Sequence, residues 1–183
     1  MIRAFAAIAL PEDIRARLEM LQHMLPLPRR IAPENFHITL VFLGDLAEDQ
    51  LADVDAAFRG LRAPAFELRL TGVGLFGGNK PRNVWAGVAP QPRLDHLQRK
   101  VFNAASGAGV ELGARRFTPH VTLARLNPVR VDLVRLEGAI VAESGFETDP
   151  FTVREFTLFS SRRSGNGMVY EPLESYPLEP VAD

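Results

Sequence analysis

The 183-residue sequence predicts a mixed α and β protein whose two halves share one order of elements: strand, helix, strand, helix, strand. Three observations carry this reading. Apolar residues recur at helical spacing in four segments. Between them lie short apolar or alternating runs rich in β-branched and aromatic residues. After the Gly-Gly-Asn-Lys-Pro stretch at 77–81, the order that began at residue 2 begins again.

Residues 2–9 (IRAFAAIA) form an apolar strand ended by Pro11. Pro11-Glu12-Asp13 opens a helix over about 11–25, with proline in the first turn, negative charge at the positive end of the dipole, and Ile14, Leu18, Leu21 and Leu25 on one face. Pro26 and Pro28 stop it. Phe36–Leu43 reads as a strand ending at Gly44-Asp45, and 47–61 as a helix through Leu51, Val54, Phe58 and Leu61. Residues 65–76 alternate as one long strand, with a bulge or tight bend at Gly72 and Gly74. The first repeat thus spans about 1–77 and the second about 82–176 of one bilobal domain. In the second, 83–89 is a strand, 91–108 a helix through Leu94, Leu97 and Val101, 120–126 a strand, 130–142 a helix and 151–159 a strand. A last strand over 167–173 follows a turn at Arg162–Asn166.

Composition excludes several classes. With 46% hydrophobic and 23% charged residues the chain is neither disordered nor fibrous. The absence of cysteine removes disulfides, thiolate metal sites and a cysteine nucleophile, and makes a cytoplasmic address the expectation. No apolar run approaches the roughly 20 residues that span a bilayer, and Pro11-Glu12-Asp13 falls where a signal peptide needs its apolar core. A net charge of −1 makes any polyanion site local. Nineteen of the 21 basic residues are arginine, but an Ala-, Arg- and Gly-rich composition is what a GC-rich genome writes everywhere, so this carries little weight.

The chemistry lies in a repeated string. His37-Ile38-Thr39-Leu40 and His120-Val121-Thr122-Leu123 stand 83 residues apart, each at the start of a strand in its half. Strand alternation puts His37 with Thr39, and His120 with Thr122, on one face, and the apolar residues on the other. Seven threonines in 183 residues give each of four histidines about a 4% chance of threonine two places on, so two accidental hits occur on the order of 1% of the time. Two histidines facing one another across a cleft form an acid–base pair, because imidazole titrates near neutrality and one ring can be neutral while the other is protonated. Two hydroxyls beside them can stabilise the charge on a phosphoryl group. Phosphodiester cleavage without a metal or other cofactor is the reaction this suits; the chain lacks the carboxylate-containing spacings of a zinc hydrolase. His23 and His96 fall in helical segments and have no expected role.

These strings, with RAFAAIALP, NFHITLVFLGD, GLFGGNKPRNVWAGV, FTPHVTLARL and FTLFSSRRSGNGMVYEPL, make nearly the whole chain similar to the 2H phosphoesterase superfamily, in particular its bacterial RNA 2′,3′-cyclic phosphodiesterase (2′-5′ RNA ligase-like) branch. The resemblance implies an α+β fold of two pseudo-symmetric lobes, each with an antiparallel sheet and flanking helices, around a central groove. It implies that His37 is the proton donor, that His120 is the acceptor, and that Thr39 and Thr122 bind phosphate. Its substrates would be RNA ends or nucleotides with a 2′,3′-cyclic phosphate, opened to a 2′-phosphate, together with reversible 2′-5′ joining of RNA, such as tRNA halves, by the same chemistry.

Arg125 resembles an arginine that recurs after the second motif, yet its odd offset from His120 puts it on the opposite face unless a bulge intervenes. Phe5 and Phe42 are expected in the core rather than against a base, and Trp85 has the same two readings. Ser160, Arg162 and Arg163 border a hairpin turn that either meets solvent or reaches RNA backbone. Lys80 lacks the context of a nucleotide phosphate loop. The expected protein is a monomer with no membrane partner. Two other functions remain open at the level of sequence: a phosphodiesterase for a small cyclic nucleotide such as ADP-ribose cyclic phosphate, and a non-catalytic RNA-binding protein.

Overall fold

The first strand is an almost unbroken apolar run, and Ala4–Ile8 are all buried, which requires cover on both faces. In the computed structural model, which describes residues 1–165 and 167–181, that strand sits inside a sheet. The chain order is β1 (Ile2–Ala9), α1 (Glu12–Met24), a 3₁₀ turn (Pro33–Asn35), β2 (His37–Leu46), α2 (Glu48–Arg59), β3 (Phe66–Leu68), β4 (Leu70–Phe76), β5 (Asn83–Val88), α3 (Pro92–Gly107), β6 (His120–Arg125), α4 (Leu133–Ala142), β7 (Phe151–Val153), β8 (Glu155–Ser164) and β9 (Gly167–Pro177). The helices form where expected: Pro11 precedes α1, Glu12 and Asp13 occupy its first turn, and Ile14, Leu18 and Leu21 are buried.

All strand pairings between named strands are antiparallel, in sheets ordered β2-β1-β8-β9, β4-β5-β6 and β3-β7. This is the α+β, two-lobed architecture that the sequence implied. The lobes do not follow the chain halves, however. In each lobe a motif strand pairs with the strand before it, and the third strand comes from the other half: β8 joins β1 and β2, while β4 joins β5 and β6. The short β3-β7 pair links the halves as well, and buried residues of both sheets form a continuous core.

Two expected strands are each divided. Residues 65–76 split at Arg69, because β3 pairs with β7 and β4 with β5, although Phe66, Leu68 and Leu70 keep the burial alternation unbroken. Alternation reports the buried face and not the partner. Residues 151–159 split at Arg154 for the same reason. Gly72 has φ +74° at a register irregularity, as expected of a bulge, whereas Gly74 serves differently: a β-carbon there would run into the Trp85 indole. Most of the expected 162–166 turn is strand, since β8 continues to Ser164 and pairs with Gly167; Asn166 lies outside the described residues. Among the described residues no helix is long and apolar enough to cross a membrane.

Candidate active site

Both motifs open their strands. His37 and Thr39 are partly buried on β2 while Ile38 and Leu40 are buried, and the pattern repeats at His120, Val121, Thr122 and Leu123 of β6. β2 and β6 approach one another, and the charge of His120 is felt at His37, so the two rings belong to one electrostatic site.

Each ring is anchored in the same way. His37 Nδ1 lies 2.7 Å from the Asn35 carbonyl oxygen, and His120 Nδ1 lies 2.7 Å from that of Thr118. A carbonyl only accepts, so each Nδ1 carries a proton and donates it, which leaves each Nε2 as the position that gains or loses one. The surroundings differ. His37 sits against Phe5 at 5.0 Å between ring centroids and edge-on to Tyr170 at 5.2 Å; His120 has the edge contact of Phe76 at 4.7 Å. Burial lowers the pKa of both rings, against the raising effect of the carbonyl bonds, and His37 is lowered further by the nearby charge of His120. The more enclosed ring is therefore the one that the resemblance makes the proton donor.

A shared irregularity follows each threonine. Thr39 pairs with Ala7 and Val41 with Ala6, leaving Leu40 as the extra residue; Thr122 pairs with Trp85 and Ala124 with Val84, leaving Leu123 extra. A bulge shifts the alternation by one, so Leu40 with Val41, and Leu123 with Ala124, are buried in succession. The next residue then returns to the motif face. This brings Arg125, exposed at the end of β6, to the side of His120 and Thr122, which is the condition its odd offset required. The same shift overturns the expectation for Phe42, which is 70% exposed on the face of His37 and Thr39 instead of in the core.

Phe5 is buried as expected, beneath Phe42 and His37 and stacked on Phe159. Trp85 lies opposite Thr122, partly buried against Phe76. Arg162 is held by Glu171 across the β8-β9 hairpin, with two nitrogens at 3.0 and 2.8 Å from one carboxylate oxygen. His23 and His96 are exposed on their helices. Among the described residues no three metal-ligating side chains are grouped.

Sequence reasoning missed Gln22. It is 2% exposed on α1, and its Nε2 donates to the carbonyls of Ile31 and Leu123, both at 2.8 Å. It thus holds the bulge of β6 and ties it to the segment preceding β2. Gln98 of α3 donates to the corresponding bulge carbonyl of Leu40, at 3.4 Å. The available signal was a glutamine on the apolar face of a helix, next to Leu21, where a buried amide needs partners.

The 2′-5′ RNA ligase superfamily matches residues 10–165 of the chain. A protein of Archaeoglobus fulgidus named RNA 2′,3′-cyclic phosphodiesterase is 31% identical over 96% of this chain and 99% of its own. The protein of that name from Escherichia coli K12 is 31% identical, covering 96% of each chain. Among solved structures, E. coli LigT complexed with 3′-AMP matches with a TM-score of 0.81 at 28% identity, over 97% of this chain and 98% of that one. TT0787 of Thermus thermophilus matches with a TM-score of 0.79 at 26% identity, over 99% and 100%.

Proposed function

The chain belongs to the 2′-5′ RNA ligase superfamily, and from that membership we propose that it is an RNA 2′,3′-cyclic phosphodiesterase acting through His37 and His120 without a metal ion. The observation that carries this reading is the pair of facing motif strands, each with its imidazole Nδ1 committed to a carbonyl and its Nε2 left for proton transfer. His120 Nε2 takes a proton from water as the water oxygen bonds to phosphorus. The bond from phosphorus to the ribose 3′-oxygen breaks, and protonated His37 Nε2 gives its proton to that oxygen. The product carries a 2′-phosphate and a free 3′-hydroxyl. Thr39 and Thr122 hydroxyls donate to the non-bridging oxygens, where charge grows in the transition state. A 5′-hydroxyl in place of water runs the same steps in the joining direction.

The lowered pKa of both rings bears on this cycle. A bound phosphodiester anion favours protonation of either imidazole, which offsets the burial that disfavours it in the empty protein. The two rings titrate as a coupled pair, and the productive form holds one proton between them. Phe42 and Arg125, at equivalent places on the two strands, are the proposed contacts to the base and to the rest of the nucleotide. The test is incubation of the purified protein, in EDTA, with an RNA ending in a 2′,3′-cyclic phosphate. The expected product is the 2′-phosphate; an unchanged end, or activity that requires an added divalent ion, rejects the reading.

A further inference from the structure

The β8-β9 hairpin outruns its sheet. β1 pairs with β8 only from Ala4 to Ala7, against Ser160 to Thr157, while the hairpin continues through Ser161, Arg162 and Arg163, paired with Tyr170, Val169 and Met168. His37 lies across from Ala9, at the far end of β1 from Ala4. A hairpin that ran straight on past Ala4 would carry Tyr170 and Met168 away from His37. Both come to it instead. The Tyr170 ring stands edge-on to His37 at 5.2 Å and to Phe5 at 5.1 Å, and the Met168 carbonyl accepts a hydrogen bond from Asn35 Nδ2 at 3.0 Å. Leu158 pairs with Glu174 and Phe159 with Pro172, so Leu173 is an extra residue that bends β9, and a two-stranded ribbon beyond a sheet edge twists more strongly than a sheet. The hairpin curls back over the motif face of the first lobe.

Asn35 joins that hairpin to the histidine. Its backbone carbonyl accepts from His37 Nδ1 at 2.7 Å, and its side chain donates to Met168, 133 residues away in sequence. Its own amide donates to the Ala32 carbonyl at 2.8 Å, which closes the 3₁₀ turn. Any residue type offers a carbonyl to a histidine; the asparagine side chain adds the bond that keeps this carbonyl from swinging. The two motifs differ here, because Thr118, which supplies the corresponding carbonyl to His120, is exposed, whereas Asn35 is partly buried under the hairpin.

We propose that Asn35 is the positioning residue of His37: by tying the carbonyl that receives the Nδ1 proton to the β8-β9 hairpin, it fixes the ring's tautomer and the direction of the Nε2 that delivers a proton to the leaving oxygen. This role rests on the reading of His37 as the proton donor and deepens it.

Two measurements on Asn35→Ala test the role. Nitrogen NMR of histidine-labelled protein reads the tautomer of each neutral ring and needs no substrate. In the wild type both rings should carry the proton on Nδ1; in the variant His37 should populate the Nε2-protonated form while His120 stays as it was. Kinetics reads the delivery of the proton. On a 2′,3′-cyclic nucleotide kcat should fall by about tenfold to 10²-fold with KM nearly unchanged, whereas turnover of a nitrophenyl phosphodiester, whose leaving group needs no proton, should be much less affected. An asparagine that only fastened the hairpin would, once removed, slow both substrates alike and leave the His37 tautomer in place. Equal losses on the two substrates, or an unshifted His37 ring, would therefore overturn the positioning role while leaving the activity intact. A shifted His37 ring in a protein whose wild type turns over neither substrate would keep Asn35 as the anchor of the ring and reject the phosphodiesterase reading. If Asn35→Ala does not fold, Asn35→Ser, whose shorter side chain falls short of Met168, is read in the same two ways.

Discussion

β2 and β6 hold the same string, the same alternation of burial and a bulge at the same place, but their surroundings diverge. Beyond the bulge the first lobe offers Phe42 over a bed of Phe5 and Phe159, with Tyr170 against Phe5 and His37. The second offers Arg125, faced by Arg29 and flanked by Asn83. One backbone geometry thus serves two chemistries: an aromatic shelf suits the flat face of a base, and a cationic edge suits phosphate. The histidines differ with their lobes, since His37 is enclosed by aromatic rings and His120 is the more open.

The largest effects should come from the histidines, and they should be unequal in kind. Either ring changed to alanine should lower turnover of a 2′,3′-cyclic nucleotide by about 10²- to 10⁴-fold. On a nitrophenyl phosphodiester that the wild type accepts, His37→Ala should retain much more activity, because nitrophenolate leaves without a proton, whereas His120→Ala should lose both activities. The reverse pattern would exchange the two roles. Next are the threonines: Thr39→Val and Thr122→Val should each cost about 10²-fold in kcat, and serine should restore much of it. If valine and serine variants behaved alike, the hydroxyls would act through packing.

The contrast between shelf and edge has a smaller signature. Phe42→Ala should raise KM for a cyclic nucleotide by about tenfold, in line with the usual worth of base stacking, with kcat much less affected. An unchanged KM would remove the shelf from the reading. The two bulge anchors should also separate. Gln22→Leu removes a donor from each of two carbonyls, of which Leu123 keeps the Ile31 amide, and should cost about 1–3 kcal/mol in denaturant unfolding, with a fall in kcat as Thr122 shifts; Gln98→Leu, which gives up one longer bond, should cost less. No loss from either change would mean that the bulges do not depend on these amides.

The pH response should be the mildest. The productive pair holds one proton, and both rings have pKa values below the ordinary value, so kcat/KM should be bell-shaped with its maximum on the acid side of about pH 6.5. In the window between the folded and ordinary values the unfolded chain binds more protons. The contribution of these rings to stability is therefore complete above the ordinary value and is lost as pH falls toward the folded values. Urea unfolding of the wild type across that window should show the slope, and replacement of both rings by asparagine should flatten it.

The sequence by itself determined the helices, the motif strands and the association of histidine with threonine on one face. Each depends on neighbours a few residues apart, whose spacing is preserved whatever the chain meets later. It also contained the repeat, because two copies of a local pattern need no knowledge of how they pair. Tertiary structure alone decided the exchange of β4 and β8 between lobes, since burial alternation does not name the partner strand. It decided the bulges at Leu40 and Leu123 as well, which arise from register against β1 and β5. Through them it turned Phe42 out of the core and set Arg125 on the same strand face as His120 and Thr122. A one-residue shift reverses every later side chain, so the positions past each bulge were legible only once the opposing strand was in place.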